Sequence, residues 1–295
     1  MPPARRSFVS AVKRCRRCLM LRVLSLGAGV QSTALLLMSV RGEIDRLDCA
    51  IFADTGWEPA AVYAHLDWLE REAAAGGVPV YRVKRGDLRR DALRSQVRGR
   101  KTDGVRWASM PLYVLGTDGG TGMIKRQCTT EYKIVPVERK IRQLLGLRPR
   151  KPWPRETVVE QWFGISADEM RRVRMPTELW KRHRYPFVFE RPMRREQIVA
   201  WLARHYPDRR VPRSACLGCP FHSDDEWRAI RENLIEWHDV VAFDRAIRRC
   251  GGMRGDVFLH RSCQPLDAVD LRSRDGRDGQ MRLPWDGECM GLCGV

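Results

Sequence analysis

The stretch VLSLGAGVQSTALLLM, Val23 to Met38, limits what this chain can fold into more than any other. Its apolar content, and the basic residues before it (Arg5, Arg6, Lys13, Arg14, Arg16, Arg17), suit a signal-peptide core or a membrane span. Gly27, Gly29, Gln31 and Ser32 interrupt it, however, and a spanning helix needs about 20 mostly apolar residues. The SVRGEID that follows is a poor cleavage site, and no other run is apolar enough to span, so no membrane is expected. The remaining reading is a buried strand over Arg22–Leu26, a glycine turn over 27–30 and a helix from Gln31 to about residue 40. Free backbone N–H groups and the positive end of a helix would then meet at one point, which is an anion site.

The segments that follow keep to one pattern. LDCAIFAD, Leu47–Asp54, reads as a second strand. EPAAVYAHLDWLEREAAAGG reads as a helix with Glu58 and Pro59 at its start and Gly76-Gly77 at its end, and VPVYRVKRG as a third strand. Strand–helix–strand–helix–strand at this spacing predicts a parallel sheet covered by helices. Residues 84–125 are charged with weak periodicity and are expected to form a mobile loop over the site, or a helix and such a loop. TVVEQWFGIS is a further buried strand ending at Gly164. Beyond about Glu196 come a short helix (REQIVAWLARHY), a tight cysteine turn (SACLGCP) and one long helix from Asp224, with a stripe of Trp227, Ile230, Leu234, Val241 and Ile247. The expected organisation is a basic flexible tail over 1–20, a nucleotide-binding domain over 21–195 and a helical cysteine-rich region with a mobile tail over 196–295.

Composition narrows the partners. With 295 residues and 43% hydrophobic content the chain can bury a real core. Its net charge of +18 favours a polyanion such as RNA, DNA or a nucleotide, although the basic residues are spread along the whole chain, as in basic arginine-rich proteins generally. Ten cysteines point to a reducing cytosol and to metal or thiol chemistry rather than disulfides.

FADTGWEP closes the second strand, so Asp54 and Thr55 are expected at the carboxyl edge of the sheet beside the first loop, where open α/β sheets bind ligands. At this point the sequence resembles the PP-loop adenine-nucleotide superfamily, in its phosphoadenosine-phosphosulfate (PAPS) reductase-like branch. The resemblance runs over roughly residues 21–265 and rests on ordered motifs: the glycine loop, FADTG, QCTTEYKIVPVERKI, FGISADEMRRVR, YPF and SACLGCPF. It implies a Rossmann-like α/β/α sandwich of the adenine nucleotide α-hydrolase-like kind, with a helical, cysteine-rich C-terminal part. It also implies a site for ATP or PAPS built from Ser25, Gly27, Ala28, Gly29, Gln31, Ser32, Asp54, Thr55, Gly164 and Ser166, with Mg2+ as a possible companion of ATP. The ATP-cleaving members carry Ser-Gly-Gly-x-Asp-Ser; here Gly27 replaces the first serine and Gln31 the acid, which puts ATP cleavage in question but not phosphate binding. Ser166 stands where an arginine is common, while Arg171, Arg172 and Arg174 could neutralise phosphate or sulfate, Arg172 being the one assigned a catalytic role. Lys125, Arg126 and Lys133 could supply further positive charge around Cys128.

The CxxC of Cys216 and Cys219 lies on a turn that lets both sulfurs face one ion, and a closed site needs two more ligands. Cys128 and Cys263 are the candidates, the resemblance supporting the choice, with a 4Fe–4S cluster favoured over zinc and His222 or His260 as substitute ligands. Glu288-Cys289 matches the Glu-Cys-Gly end of the reductases, in which a tail cysteine attacks sulfur. Met290 replaces the glycine, and Cys293 could resolve a persulfide or disulfide or, like Cys289, be a cluster ligand instead. Cys49 is expected to be inert in its strand, Cys250 structural, and Cys15 and Cys18 incidental.

These features leave distinct readings. The first is an enzyme, a PAPS reductase-family oxidoreductase or sulfurtransferase, using a thiol reductant or sulfur donor. It either reduces an adenylylated sulfate or transfers sulfur after adenylation, in the latter case onto a small molecule, tRNA or DNA. The other is a non-catalytic, zinc-containing nucleic-acid-binding protein.

Overall fold

The computed structural model describes residues 20–97, 110–249 and 255–272. The tail over 1–19, Cys250 and the terminal Glu288, Cys289 and Cys293 lie outside the described residues.

Strand β1 (Leu21–Leu26) leads through the glycine turn into helix α1 (Val30–Val40). Strand β2 (Cys49–Asp54), helix α2 (Ala60–Ala75) and strand β3 (Val80–Lys84) follow, giving the expected alternation with each boundary within a few residues of its sequence position. Helix α3 (Leu88–Val97) then precedes strands β4 (Tyr113–Leu115) and β5 (Thr121–Met123). A π-helical turn over Thr129–Ile134 runs directly into α4 (Val135–Leu144), and β6 (Val159–Phe163) comes next. After a 3-10 turn at Ala167–Arg172 the chain forms β7 (Lys181–Arg184), the single turn α5 (Pro186–Phe189) and α6 (Arg195–His205). Helices α7 (Asp224–Glu232) and α8 (Leu234–Ile247) and strand β8 (Asp256–Phe258) complete the order of the main elements.

The main sheet runs β3-β2-β1-β6-β7, every pair parallel, with Val23 opposite both Cys49 and Gln161. Helices cover both faces, so β1 and β2 are apolar almost throughout. On one face Leu35, Leu36, Leu37 and Met38 of α1 are fully buried among Leu24, Phe52, Leu66 and Trp162, and α6 adds Ile198, Trp201 and Leu202 to the same core. On the other face Val137 and Ile141 of α4 pack on Val23, Ile51 and Val159. This is the Rossmann-like α/β/α sandwich expected. Strand order reverses at β1 and β6, so the loops leaving these two strands flank a switch-point crevice.

Two sequence expectations are corrected. Residues 113–123 form a hairpin, which joins β8 in a separate antiparallel sheet of order β5-β4-β8. Strands of three residues leave too few alternations for a period to register. The long helix from Asp224 is broken at Asn233, whose backbone is extended (φ −94°, ψ 96°) and whose side chain accepts from Glu236 N–H, capping α8 afresh. The break resets the helical phase, so Leu234, placed in the apolar stripe by its spacing, is 65% exposed.

A second core lies beside the sheet edge. Trp227, Phe243, Val257 and Leu259 fill it, and Trp57, from the loop after β2, enters it with its ring centroid 4.5 Å from that of Phe243. The Trp57 indole N–H donates to Asp239 at 2.8 Å, which ties the carboxyl edge of β2 to α8.

Candidate functional site: a glycine-loop cleft and a thiol cavity

Gly29 caps α1 with an extended backbone, no side chain caps the helix, and its first turn holds no acid. The first amides of α1 are therefore without the usual side-chain acceptor, which suits an anion. The left-handed position in the loop is Ala28, at φ 58°, rather than either glycine. The glycines serve close approach instead. A Cβ on Gly27 would come 2.9 Å from Ser214 Oγ, and one on Gly29 would come 3.0 Å from Ser214 Cβ. The Ser214 hydroxyl donates to the Gly27 carbonyl, so the segment leading into the cysteine turn closes over the loop. Ser32 is turned inward: its Oγ accepts from Gly27 N–H at 3.2 Å and donates to the Gly29 carbonyl at 3.3 Å. Gly164, after β6, lies against the start of α1, where a Cβ would stand 2.6 Å from Ser32 N.

The second loop is held by Glu169, which is 4% exposed. Its carboxylate accepts from Gln31 Nε2 at 3.1 Å, from Ser166 Oγ at 3.3 Å and from the Arg172 guanidinium. Gln31, standing where an acid is usual, thus donates to a carboxylate supplied by another loop. Arg172 faces that same carboxylate, and Arg174 donates to the carbonyls of Arg171 and Val173.

Asp54 and Thr55 reach the sheet edge as expected and are engaged there. Asp54 Oδ1 accepts from Gly56 N–H at 2.7 Å and from the Tyr63 hydroxyl at 2.8 Å, with Lys84 Nζ 3.7 Å from its other oxygen. The buried Thr55 hydroxyl donates to Glu58 at 2.8 Å.

A cleft open to solvent lies between the sheet and α4. Ile51, Phe52, Ile134, Val137 and Phe163 form its apolar walls. Ser25, Glu58, Lys133, Gln161 and Ser214 bring the polar groups, and Gly27 lies at its lining too. Apolar strand walls and polar groups near the glycine loop thus share one cleft.

A second cavity adjoins it, lined by Thr55, Cys128, Lys133, Cys216 and Cys219. Lys133 lines both. The π-helical turn helps to place it there, because an i to i+5 pattern stacks residues five apart, the spacing of Cys128 and Lys133. Cys216 is 3.4 Å from both Glu58 Oε1, to which its thiol donates, and Thr55 Oγ1. His222 fixes the cysteine turn from behind, its Nε2 lying 3.0 Å from the Cys216 carbonyl and 3.1 Å from that of Leu217; burial pushes its pKa down to about 4.

The four expected metal ligands are only partly brought together. Cys128, Cys216 and Cys219 line one cavity, whereas Cys263 sits in a separate turn at φ 51°, its N–H bonded to the His260 carbonyl and its thiol pushed up by burial. Among the described residues no three cysteine, histidine or acidic side chains stand close enough to share an ion. The donors have the right chemistry for a cluster or zinc, but as arranged they do not fit a closed site, and Cys216 shares its thiol proton with a carboxylate. Cys49 is buried in β2, which pushes its thiol up to about 12 and leaves it inert at neutral pH.

Sequence reasoning missed Ser214, Gln161 and the role of Glu58, read there only as a helix start. A signal existed for Gln161: a carboxamide inside VVEQWF has no reason to be in a strand covered on both faces unless something pairs with it.

Fold and site together define an open, parallel-sheet α/β protein of the Rossmann-like class, with an anion-competent glycine loop at the switch point. No family model matches the chain, and no curated protein sequence matches it. Among solved structures it is similar to a phosphoadenylyl-sulfate (PAPS) reductase from Candida auris, crystallised as a phosphate complex. The identity is 13% over 67% of this chain and 76% of that one, and the TM-score is 0.39. Likeness at that level carries no functional inference.

Proposed function

We propose that the protein is an enzyme that binds an adenine nucleotide in the cleft and performs sulfur chemistry at its phosphate end. The observation that carries the reading is the junction of the two cavities: Lys133 lines both, and three thiols, Cys128, Cys216 and Cys219, lie on the far side. Sulfur chemistry on a nucleotide needs an anion site, a cation and a thiol in reach of one another, and these residue types meet at that junction.

In the reductase version a cysteine thiolate attacks the sulfur of an adenylylated sulfate. An S–S bond forms, the S–O bond to the nucleotide phosphate breaks, and the adenylate leaves carrying the electron pair. Attack by a second thiol releases sulfite and leaves a disulfide, which an external dithiol reduces. Cys289 is proposed as the attacking thiol, with Lys133 neutralising the departing phosphate. In the transfer version a substrate oxygen attacks the α-phosphate of ATP, pyrophosphate leaves, and a sulfur nucleophile then displaces AMP. The net charge of +18 favours a polyanionic acceptor such as tRNA or DNA for that version. Neither version is routed through a metal. Bound iron or zinc lost on Cys216→Ser and Cys219→Ser, but kept on Cys49→Ser, would make the thiol cavity a metal centre.

The test offers ATP, adenylyl sulfate and PAPS separately, with a dithiol present, and separates the products by chromatography. Sulfite with AMP or its 3′-phosphate supports reduction, and pyrophosphate with AMP supports adenylation. No turnover of any of the three nucleotides, with or without tRNA or DNA as acceptor, would refute the enzymatic reading.

A further inference from the structure

Strand alternation puts Val159, Gln161 and Phe163 on the sheet face that α4 covers. Val159 and Phe163 bury apolar surface there. Gln161 puts a carboxamide between them that is 7% exposed and lines the cleft. Its Nε2 donates to Ser25 Oγ, on the neighbouring strand, at 2.7 Å. Its Oε1 and its second N–H bond to none of the described residues. These two groups are open to the cleft, where the polar edge of a ligand can pair with them.

We propose that Gln161, oriented by Ser25, is a specificity-determining residue that reads the base of the bound nucleotide. This rests on the adenine-nucleotide reading and adds which side chain selects adenine. The carboxamide offers an acceptor and a donor side by side, the complement of the exocyclic amine of adenine and its adjacent ring nitrogen. Phe163, Ile134 and Val137 line the same cleft and offer apolar surface to a ring. A 6-oxo purine presents two acceptors along its amine–N7-equivalent edge, and one of them would face the lone pairs of Oε1. Along its other edge donor and acceptor are exchanged, so the amide would have to turn over and reverse its bond with Ser25.

The experiment is calorimetric titration of the full-length protein with AMP and with inosine monophosphate, which differ in amine against oxo at the 6-position and in the proton on the adjacent ring nitrogen. Wild type is expected to bind AMP about tenfold or more tightly than inosine monophosphate. Gln161→Met, close in volume, should bring the two affinities within about threefold by weakening AMP, and Ser25→Ala should narrow the gap partway. A folded Gln161→Met protein that keeps the wild-type ratio overturns the proposal, as does a wild type that binds both nucleotides equally; in either case nucleotide binding itself stands. Wild type that binds neither nucleotide refutes the nucleotide reading and this inference with it. Should Gln161→Met fail to fold, the wild-type ratio and Ser25→Ala decide.

Discussion

The glycine-loop cleft and the thiol cavity share Lys133 and a wall, yet they are built in different ways. The cleft is framed by strands paired in register, and the anion site proposed there would rest on the backbone: a helix start with no side-chain cap behind a glycine turn. The thiol cavity is put together from distant pieces of chain, around Thr55, Cys128 and Cys216, and its character depends on side chains converging. Backbone sites come with the fold, whereas side-chain sites require long-range pieces to meet. That contrast explains why the loop is fully formed while the four cysteines are not gathered on one point.

The largest expected effect is on the cleft side. In Gly164→Ala the new Cβ meets the backbone of Ser32, which cannot swing away as a side chain could. Overpacking of this kind costs about 3 kcal/mol or more, read as a lower urea midpoint. A loss under about 1 kcal/mol would mean that the strand end and α1 are not locked together, and the contrast with the looser cavity would fail.

The α1–α2 contact under the loop gives the next effect. His65 is buried with its Nε2 3.0 Å from Thr33 Oγ1, and burial, with a smaller push from the charge of Arg209, lowers its pKa to about 4. Below pH ~6.5 the unfolded chain takes up a proton there that the folded chain does not, so stability falls as pH drops from about 6.5 toward 4. The loss attributable to His65 is of the order of 3 kcal/mol. His65→Gln should make that part of the stability-against-pH curve less steep, with His222, also pushed down to about 4, keeping the remaining slope; an unchanged slope would remove His65 as a source.

How far each region can be read from sequence follows the same division. The order β1-α1-β2-α2-β3 is legible because each unit is local and apolar runs alternate with glycine stops. Gly27, Gly29 and Gly164 stand out for a similar reason, although the neighbour that needs the first two proves to be Ser214. The hairpin at 113–123 is not legible, because β4 finds its other partner in β8, more than a hundred residues along the chain. The break at Asn233 was hidden because apolar residues on both sides imitate one continuous stripe. The thiol cavity was legible as a residue list and not as a geometry, since CxxC spacing places Cys216 near Cys219 and says nothing of Glu58.

Smaller effects sharpen the boundary between the two regions. Glu58→Gln turns the acceptor of Thr55 and Cys216 into a neutral amide, at a cost of about 1–2 kcal/mol. It should also speed alkylation of Cys216 near neutral pH, because the negative charge that disfavours the neighbouring thiolate is gone; mass spectrometry of the labelled peptide reads this. An unchanged rate would show that the cavity is indifferent to Glu58. Ser214→Ala removes the bond to the Gly27 carbonyl and should cost about 1 kcal/mol while weakening nucleotide binding, with Ser214→Thr restoring part of both. Ala28→Gly should stabilise the protein by up to about 1 kcal/mol, since glycine takes φ 58° without strain; a lower thermal midpoint would contradict that.

The central claim, that an adenine nucleotide lies between the β1–β6 crevice and α4 with its phosphates at the glycine loop, is tested most directly by photo-crosslinking with 8-azido-ATP and peptide mapping. Labelling is expected within the strand and helix segments that hold Ile51, Ile134, Val137 and Phe163, suppressed by excess AMP. Labelling confined to other parts of the chain, or labelling that AMP does not displace, would contradict it.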